Sequence, residues 1–322
     1  IDVRLVGSEM CIRDRSKAIE FLKDYEANNK LEGKLLFDYN LAKSSWLGVG
    51  GKAEVFYHCD SVIQLSDILK KLPKEFNRTV IGQGSNILIR DGGIKGLVIK
   101  LGKSFQKIQT SNEVVIAGGA AMDKVIARYS QEESIGGFEF LSGIPGNIGG
   151  ALAMNAGCYG GDISQIFYSA KGISYYGNKI EISRDDFNFE YRFNPLSSGI
   201  IFTEISLKGS KDEQLNITAK IEKINKEKNL SQPRGIKTGG STFKNPDINI
   251  SPLKAWELIY KSECHNINMS GVSFSLKHYN FIENKQNLSA NLIEDFCKLV
   301  QKNVFEKTGV KLDMEIKILG DR

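Results

Sequence analysis

Between residues 136 and 161 the chain places glycine at positions 136, 137, 143, 146, 149, 150, 157, 160 and 161. Glycine weakens helix and strand interiors, so only short elements can cross this stretch. Side-chain-free backbone can instead approach a ligand closely, and its N–H groups can line a pyrophosphate. Tight turns between short strands are the plainer alternative. A second glycine segment, Gly82-Gln83-Gly84-Ser85-Asn86-Ile87, begins like a dinucleotide fingerprint. Ile87 stands where that motif needs Gly or Ala, so a Rossmann fold is not indicated. Short strands and helices alternate without clean βαβ units, and an α+β fold is expected over a doubly wound sheet.

Length and composition set outer bounds. The 322 residues allow two domains, and 41% hydrophobic with 25% charged residues is ordinary for a globular protein. A net charge of +5 from dispersed basic residues leaves no nucleic-acid footprint. No apolar run is long enough to span a membrane. Cys11, Cys59, Cys158, Cys264 and Cys297 are widely spaced, with no CxxC pair, so neither zinc nor a disulfide framework is indicated and a reducing cytoplasm fits. His58, His265 and His278 are too scattered for a metal site. Residues 1–15 lack a signal-peptide core and read as a non-native extension; a frayed native terminus is the alternative.

Elements follow from periodicity. Ser16 to Asn29 reads as a helix, as does 61–72, where Val62, Leu65, Ile68, Leu69 and Leu72 share a face. Strands are expected near 79–81, 87–90, 97–100 and 114–117, then a helix over 121–131. Further strands fall at 170–175, 179–183 and 200–207, broken at 185–192. A helix marked by Ile217, Ile221 and Ile224 follows, and a domain boundary is expected near 210. Another helix carries Trp256, and a long one spans 289–307 with Ser289 as N-cap. Leu312, Met314, Ile316 and Ile318 alternate with polar residues as a last strand.

Just past the boundary lies Lys237-Thr238-Gly239-Gly240-Ser241-Thr242-Phe243-Lys244-Asn245-Pro246. It holds a hydroxyl after a permissive turn, with a cation and an amide close behind. Alone it would be a polar surface turn. Alone, Tyr191-Arg192 would be an exposed strand end and Glu315 a solvent-facing strand residue.

In their order, the glycine segments, Tyr191-Arg192, the GGSTFKNP loop and the terminal Met314-Glu315-x-Lys317-x-x-Gly320 strand closely resemble the UDP-N-acetylenolpyruvoylglucosamine reductase family. Those flavoenzymes complete UDP-N-acetylmuramate for peptidoglycan. The resemblance runs from about Ser44 to Gly320. It implies a vanillyl-alcohol-oxidase (PCMH) type FAD-binding domain of two α+β subdomains at 44–210, after a helical lead-in at 16–43. An α+β substrate domain at 211–322 would follow. FAD contacts are implied for Trp46, Val49, Gly50 and Gly51; for Gly82, Gly84, Ser85, Asn86 and Ile87; for Gly143, Ile144, Pro145, Gly146, Ile148, Gly149 and Ala151; and for Asn155 and Gly157. NADPH would reduce FAD, and hydride would then pass to the enolpyruvyl alkene. Arg192 matches the carboxylate-holding arginine, Ser241 the proton donor and Glu315 the active-site glutamate. Tyr191, Lys244 and Asn245 would face the UDP-sugar.

Relatives usually carry Ser where this chain has Asn194, and residues 270–281 depart from the common pattern. The spacing from Arg192 to Ser241 fits the shorter subtype, which lacks a substrate-capping insertion. The expected partner is a UDP-sugar, with no nucleic acid or membrane, for a cytoplasmic monomer or weak oligomer. Competing readings are another FAD-dependent oxidoreductase of this fold, or an inactive flavin-binding module.

Overall fold

The computed structural model describes residues 3–186, 189–195, 198–285 and 288–322. Ile1 and Asp2 of the expected extension, and Phe187 and Asn188 of the expected strand break, lie outside the described residues. Among the described residues no helix is long and apolar enough to cross a membrane. The chain forms two compact units, each discontinuous in sequence: residues 1–38, 54–82 and 96–225, and residues 39–53, 83–95 and 226–322. These units follow contacts, whereas the expected division near 210 rests on the charged helix marked by Ile217, Ile221 and Ile224.

The first unit holds two sheets. Strands Gly33–Asn40, Lys52–Cys59, Ile94–Leu101 and Arg78–Val80 lie in that order, the last pair parallel. Alternating Val55, Tyr57, Leu97 and Ile99 are fully buried with Leu65, Ile68 and Leu69 of helix Val62–Lys71. Ser61 caps that helix by accepting from Gln64 N, as its side chain suits. The first helix runs Val3–Asn28 and so begins well before the expected Ser16; its Ala18 and Leu22 enter the same core.

The second sheet is antiparallel, ordered Lys179–Ser183, Phe167–Ser174, Ile200–Lys208, Val114–Gly118 and Ile108–Ser111. Its buried face carries Val115, Ala117, Phe167, Ile205 and Leu207. Against these pack Ile126 of helix Asp123–Glu132 and Leu152 of helix Ile148–Met154. The glycine-dense segment therefore does hold a helix, but only one of seven residues.

The second unit is built round helix Ala290–Thr308. Ser289 caps its start, accepting from Leu292 N at 3.2 Å, and Gly309 ends it with a left-handed φ of 73°. Ile293, Phe296, Val300 and Val304 pack on hairpin Val272–Ser275/His278–Asn284 and on helix Ala255–Lys261. Residues 83–95 are bound into this unit. Ile87–Ile89 pairs in parallel with Lys317–Leu319, so only the end of the expected last strand forms a ladder there. The Asp91 carboxylate accepts from Ala290 N and Asn291 N at 3.0 and 2.9 Å, adding negative charge at the N-terminus of the long helix. Arg90 meets Glu294 with two N–H bonds, at 2.7 and 3.1 Å, and Lys298 adds a third contact at 2.8 Å. These cations hold the Glu294 carboxyl down at about 2.

Candidate active site

In the second unit, the stretch after the paired glycines is held as an extended segment between two neighbours. On one side Ser241 bridges Phe281, and Thr242 N donates to Asn280 O at 2.8 Å. On the other, Phe243 bridges Met314, Glu315 N donates to Thr242 O at 2.9 Å, and Lys244 N donates to Asp313 O at 2.8 Å. Ser241 and Glu315 thus lie on adjoining extended segments joined through Thr242, and both side chains are partly buried. Phe243 anchors the segment in the core, fully buried.

The same ladder reaches a glycine segment. Lys317 N donates to Asn86 O at 3.0 Å, and Asn86 Nδ2 donates to Glu315 O at 3.1 Å. Beside it, Trp46 N donates to Gly84 O at 2.9 Å. A Cβ at Gly84, whose φ is +76°, would stand 1.9 Å from Ser44 O, so only glycine lets these loops meet. Val49 is buried in the core, and Gly51 N donates to Arg90 O at 3.0 Å. Asn86 therefore meets the Glu315 segment directly and Trp46 meets Gly84 two residues before it, whereas Gly50 and Gly51 lie beside Ile89 and Arg90, further along the same unit. Lys244 is partly buried. Asn245 is exposed, and its Oδ1 accepts from Ala255 N at 3.0 Å at the start of the next helix, so its acceptor oxygen is already engaged.

The first unit carries the remaining residues. Asn147 Oδ1 lies so close to Gly82 that a Cβ there would stand 2.4 Å from it, so Gly82 meets the 143–151 segment. That segment leads through Ile148–Met154, which ends at Asn155 in the left-handed region. Asn155 is buried. Its Nδ2 donates to Glu190 O at 3.1 Å, and its Oδ1 accepts from Ser164 N at 3.0 Å. Gly157 pairs with Asp162 in a two-residue strand. Tyr191 and Arg192 form the tip of a two-residue turn closed by Glu190 N to Phe193 O and Phe193 N to Glu190 O, at 3.1 and 3.2 Å. Arg192 has φ 54°, unusual for a residue with a side chain. Its guanidinium lies 5.6 Å from the exposed Tyr191 ring.

Three groups were not singled out from the sequence. Asn280 reaches Phe243, as described below. Asn194, noted only as a departure, is fully buried and donates to Leu152 O at 3.0 Å. Asp123 is fully buried in the first turn of its helix, with its N–H donating to Gly146 O at 3.3 Å. Its carboxylate oxygens have no hydrogen-bond partner among the described residues, and burial holds its pKa well above the ordinary value. Asn280 carried a sequence signal as an asparagine within a strand, where asparagine is depleted, and Asn194 carried one only as a change of residue type; Asp123 carried none.

No acidic side chain occurs in segments 46–53, 82–87 or 143–151, and Lys52, Ser85, Asn86 and Asn147 supply positive charge and donors. In each unit by itself, glycine loops free of acidic side chains suit close approach to a dinucleotide's pyrophosphate. Residues 53–172 match the family model for an FAD binding domain. Fold and loops together define a flavin-dependent oxidoreductase of mixed α and β structure. Residues 232–319 match the model for the UDP-N-acetylenolpyruvoylglucosamine reductase C-terminal domain. The reductase of that name from Rickettsia typhi is 40% identical over 290 residues, 90% of this chain and 97% of that protein. The Pelagibacter ubique reductase is 40% identical over 293 residues, 91% and 97% of the two chains. The crystal structure of the Thermus caldophilus reductase matches with a TM-score of 0.76 and 25% identity, over 90% of this chain and 100% of that one. The chain belongs to the UDP-N-acetylenolpyruvoylglucosamine reductase family.

Proposed function

We propose that this protein uses FAD and NADPH to reduce the enolpyruvyl group of UDP-N-acetylglucosamine enolpyruvate, giving UDP-N-acetylmuramate for peptidoglycan. The observation that carries this reading is the ladder joining Asn86, Glu315 and the Ser241 segment, because it gathers a flavin segment and two reaction groups in one compact unit. Bound FAD, reduced by NADPH, supplies the hydride for the alkene carbon. The chain's residues manage the charge that follows. Negative charge on the adjacent substrate carbon spreads into its carboxylate, and preorganised donors lower the cost of that charge. Arg192 holds the carboxylate with two parallel N–H bonds. Ser241 delivers a proton to the carbon, a step a hydroxyl can take against a strong neighbouring base in a dry site. Glu315 polarises or orients the enol.

FAD is held by the loops of Trp46–Gly51, 82–87 and 143–151, with Asn155 and Gly157 supporting them. Tyr191, Lys244 and Asn245 face the UDP-sugar, Asn245 through its amide N–H groups. Residues 44–210 act as the flavin-binding part and 211–322 as the substrate part. The protein works in the cytoplasm as a monomer or weak oligomer.

One spectrophotometric run tests the reading. The purified protein should show flavin absorbance that bleaches anaerobically with NADPH and returns rapidly when the enolpyruvyl substrate is added. Reduced flavin that ignores this substrate but is reoxidised by oxygen, or oxidised flavin that is bleached by an alcohol, would overturn it.

A further inference from the structure

Asn280 is only 4% exposed, so a polar side chain there needs partners. Its backbone O accepts from Thr242 N at 2.8 Å, a backbone rung beside the isolated antiparallel bridge Ser241–Phe281. Past that rung the backbone pairing diverges. Thr242 O turns away to Glu315 N, and Asn280 N donates to His278 Nδ1 at 3.2 Å. The Asn280 carboxamide continues the pairing in place of backbone. Its Oδ1 accepts from Phe243 N at 3.0 Å, and its Nδ2 donates to Phe243 O at 2.8 Å. One side chain thus satisfies both polar groups of Phe243 on the edge away from Met314, two residues beyond Ser241.

We infer that Asn280 is a positioning residue for Ser241. The inference rests on the reading of Ser241 as proton donor. The segment 241–244 must serve two edges at once, and plain strand pairing with His278–Asn284 would claim the Thr242 carbonyl that Glu315 uses. The carboxamide of Asn280 resolves that conflict. It fixes the segment to the hairpin while leaving Thr242 O to Glu315, so the distance from the serine to the glutamate's segment is set. Misplacement of a reacting group by about 1 Å can cost on the order of 100-fold in rate. Loss of Asn280 should therefore fall on proton delivery and spare hydride uptake from NADPH.

The test uses the FAD-loaded full chain in anaerobic stopped-flow, with the two half-reactions read separately. In Asn280→Ala, reduction by NADPH should stay within about 2-fold of the parent, while reoxidation by substrate slows about 10- to 100-fold. The solvent deuterium effect on reoxidation should grow, as proton delivery becomes limiting. Asn280→Asp keeps the acceptor for Phe243 N but loses the donor to Phe243 O, and should be slowed as well; it is read on the same criteria if the alanine variant is insoluble. In a Ser241→Ala background, Asn280→Ala should add little, because both act through one group. Equal slowing of both half-reactions, unchanged reoxidation, or a full additional loss in the double variant would each overturn the inference. Normal reoxidation in Ser241→Ala alone would place the failure in the reading of Ser241 instead.

Discussion

The turn carrying Arg192 and the segment carrying Ser241 are fixed by opposite means. Ser241 belongs to an extended segment bonded on both edges, mostly through backbone. Arg192 tips a two-residue turn that closes on itself, and the neighbouring residues are tied by two carboxamides, Asn155 to Glu190 O and Asn194 to Leu152 O. Both ties involve helix Ile148–Met154 or the residue just after it. A ladder spreads its constraint over many peptide groups, so most single side-chain changes leave it standing. A turn clamped by two side chains can be released by one substitution, which suits a group that must adjust to a substrate carboxylate rather than deliver a proton to one carbon.

The largest test of that contrast is Arg192→Lys. A lysine supplies a point charge without the planar fork, and kcat/KM for the enolpyruvyl substrate should fall about 100-fold, the scale of a lost charge-assisted pair of bonds. Melting temperature should not fall, because the left-handed backbone at 192 is strained for either side chain. Near-normal turnover in steady-state assays would remove Arg192 from the reaction.

Next in size is Glu294→Gln, which asks whether the laddered unit also depends on side chains. The folded carboxyl titrates at about 2, below the ordinary 4.5. A depressed carboxyl contributes stability that is fully present above the unfolded value and is lost as pH falls through the folded one. The variant should be less stable by about 2 kcal/mol at pH 7, and the gap should close between about pH 4.5 and 2. Denaturant melts across that range would show it; a constant gap would mean that shape, not charge, links Glu294 to Arg90.

Asn194→Ala addresses the clamp itself. Removing a buried donor from Leu152 O should cost about 1–2 kcal/mol in thermal or urea melts. If the clamp sets the Arg192 turn, substrate KM should rise while NADPH-driven flavin reduction holds. A stability loss with no change in KM would mean that the turn is fixed by its own backbone bonds.

How far the sequence reached follows the same division. Regular elements were legible because periodicity reports burial: 62–71, 179–183, 200–208 and 290–308 all appear close to their expected limits. Motif order singled out Asn86, Ser241 and Glu315, which lie on hydrogen-bonded segments of one unit. What stayed hidden were contacts between residues far apart in the chain. Asn280 to Phe243 and Asn86 to Glu315 O are bonds between single polar side chains and distant peptides, which leave no periodic trace. The discontinuous units were equally hidden, because 39–53 and 83–95 are marked by glycines that signal close approach without naming the partner. Asn194 stood out only as a change of residue type, since its meaning depends on a carbonyl 42 residues away.

The smallest expected effect concerns Asp123, which lies against the 143–151 segment through its N–H to Gly146 O. Burial raises its carboxyl well above 3.8, so folding favours the protonated form. The sign follows: stability is greatest below the unfolded value and declines as pH rises towards the folded one. Asp123→Asn has nearly the same shape and no charge to bury. Its melting temperature should match the parent near pH 4 and exceed it at pH 8, by the equivalent of about 1 kcal/mol. FAD content should be unchanged. A variant that melts lower at pH 8, or that loses FAD, would show that the ionised carboxylate is needed, and the segment around Gly146 would then be held by charge rather than by the neutral backbone and carboxamide hydrogen bonds that hold the Ser241 segment.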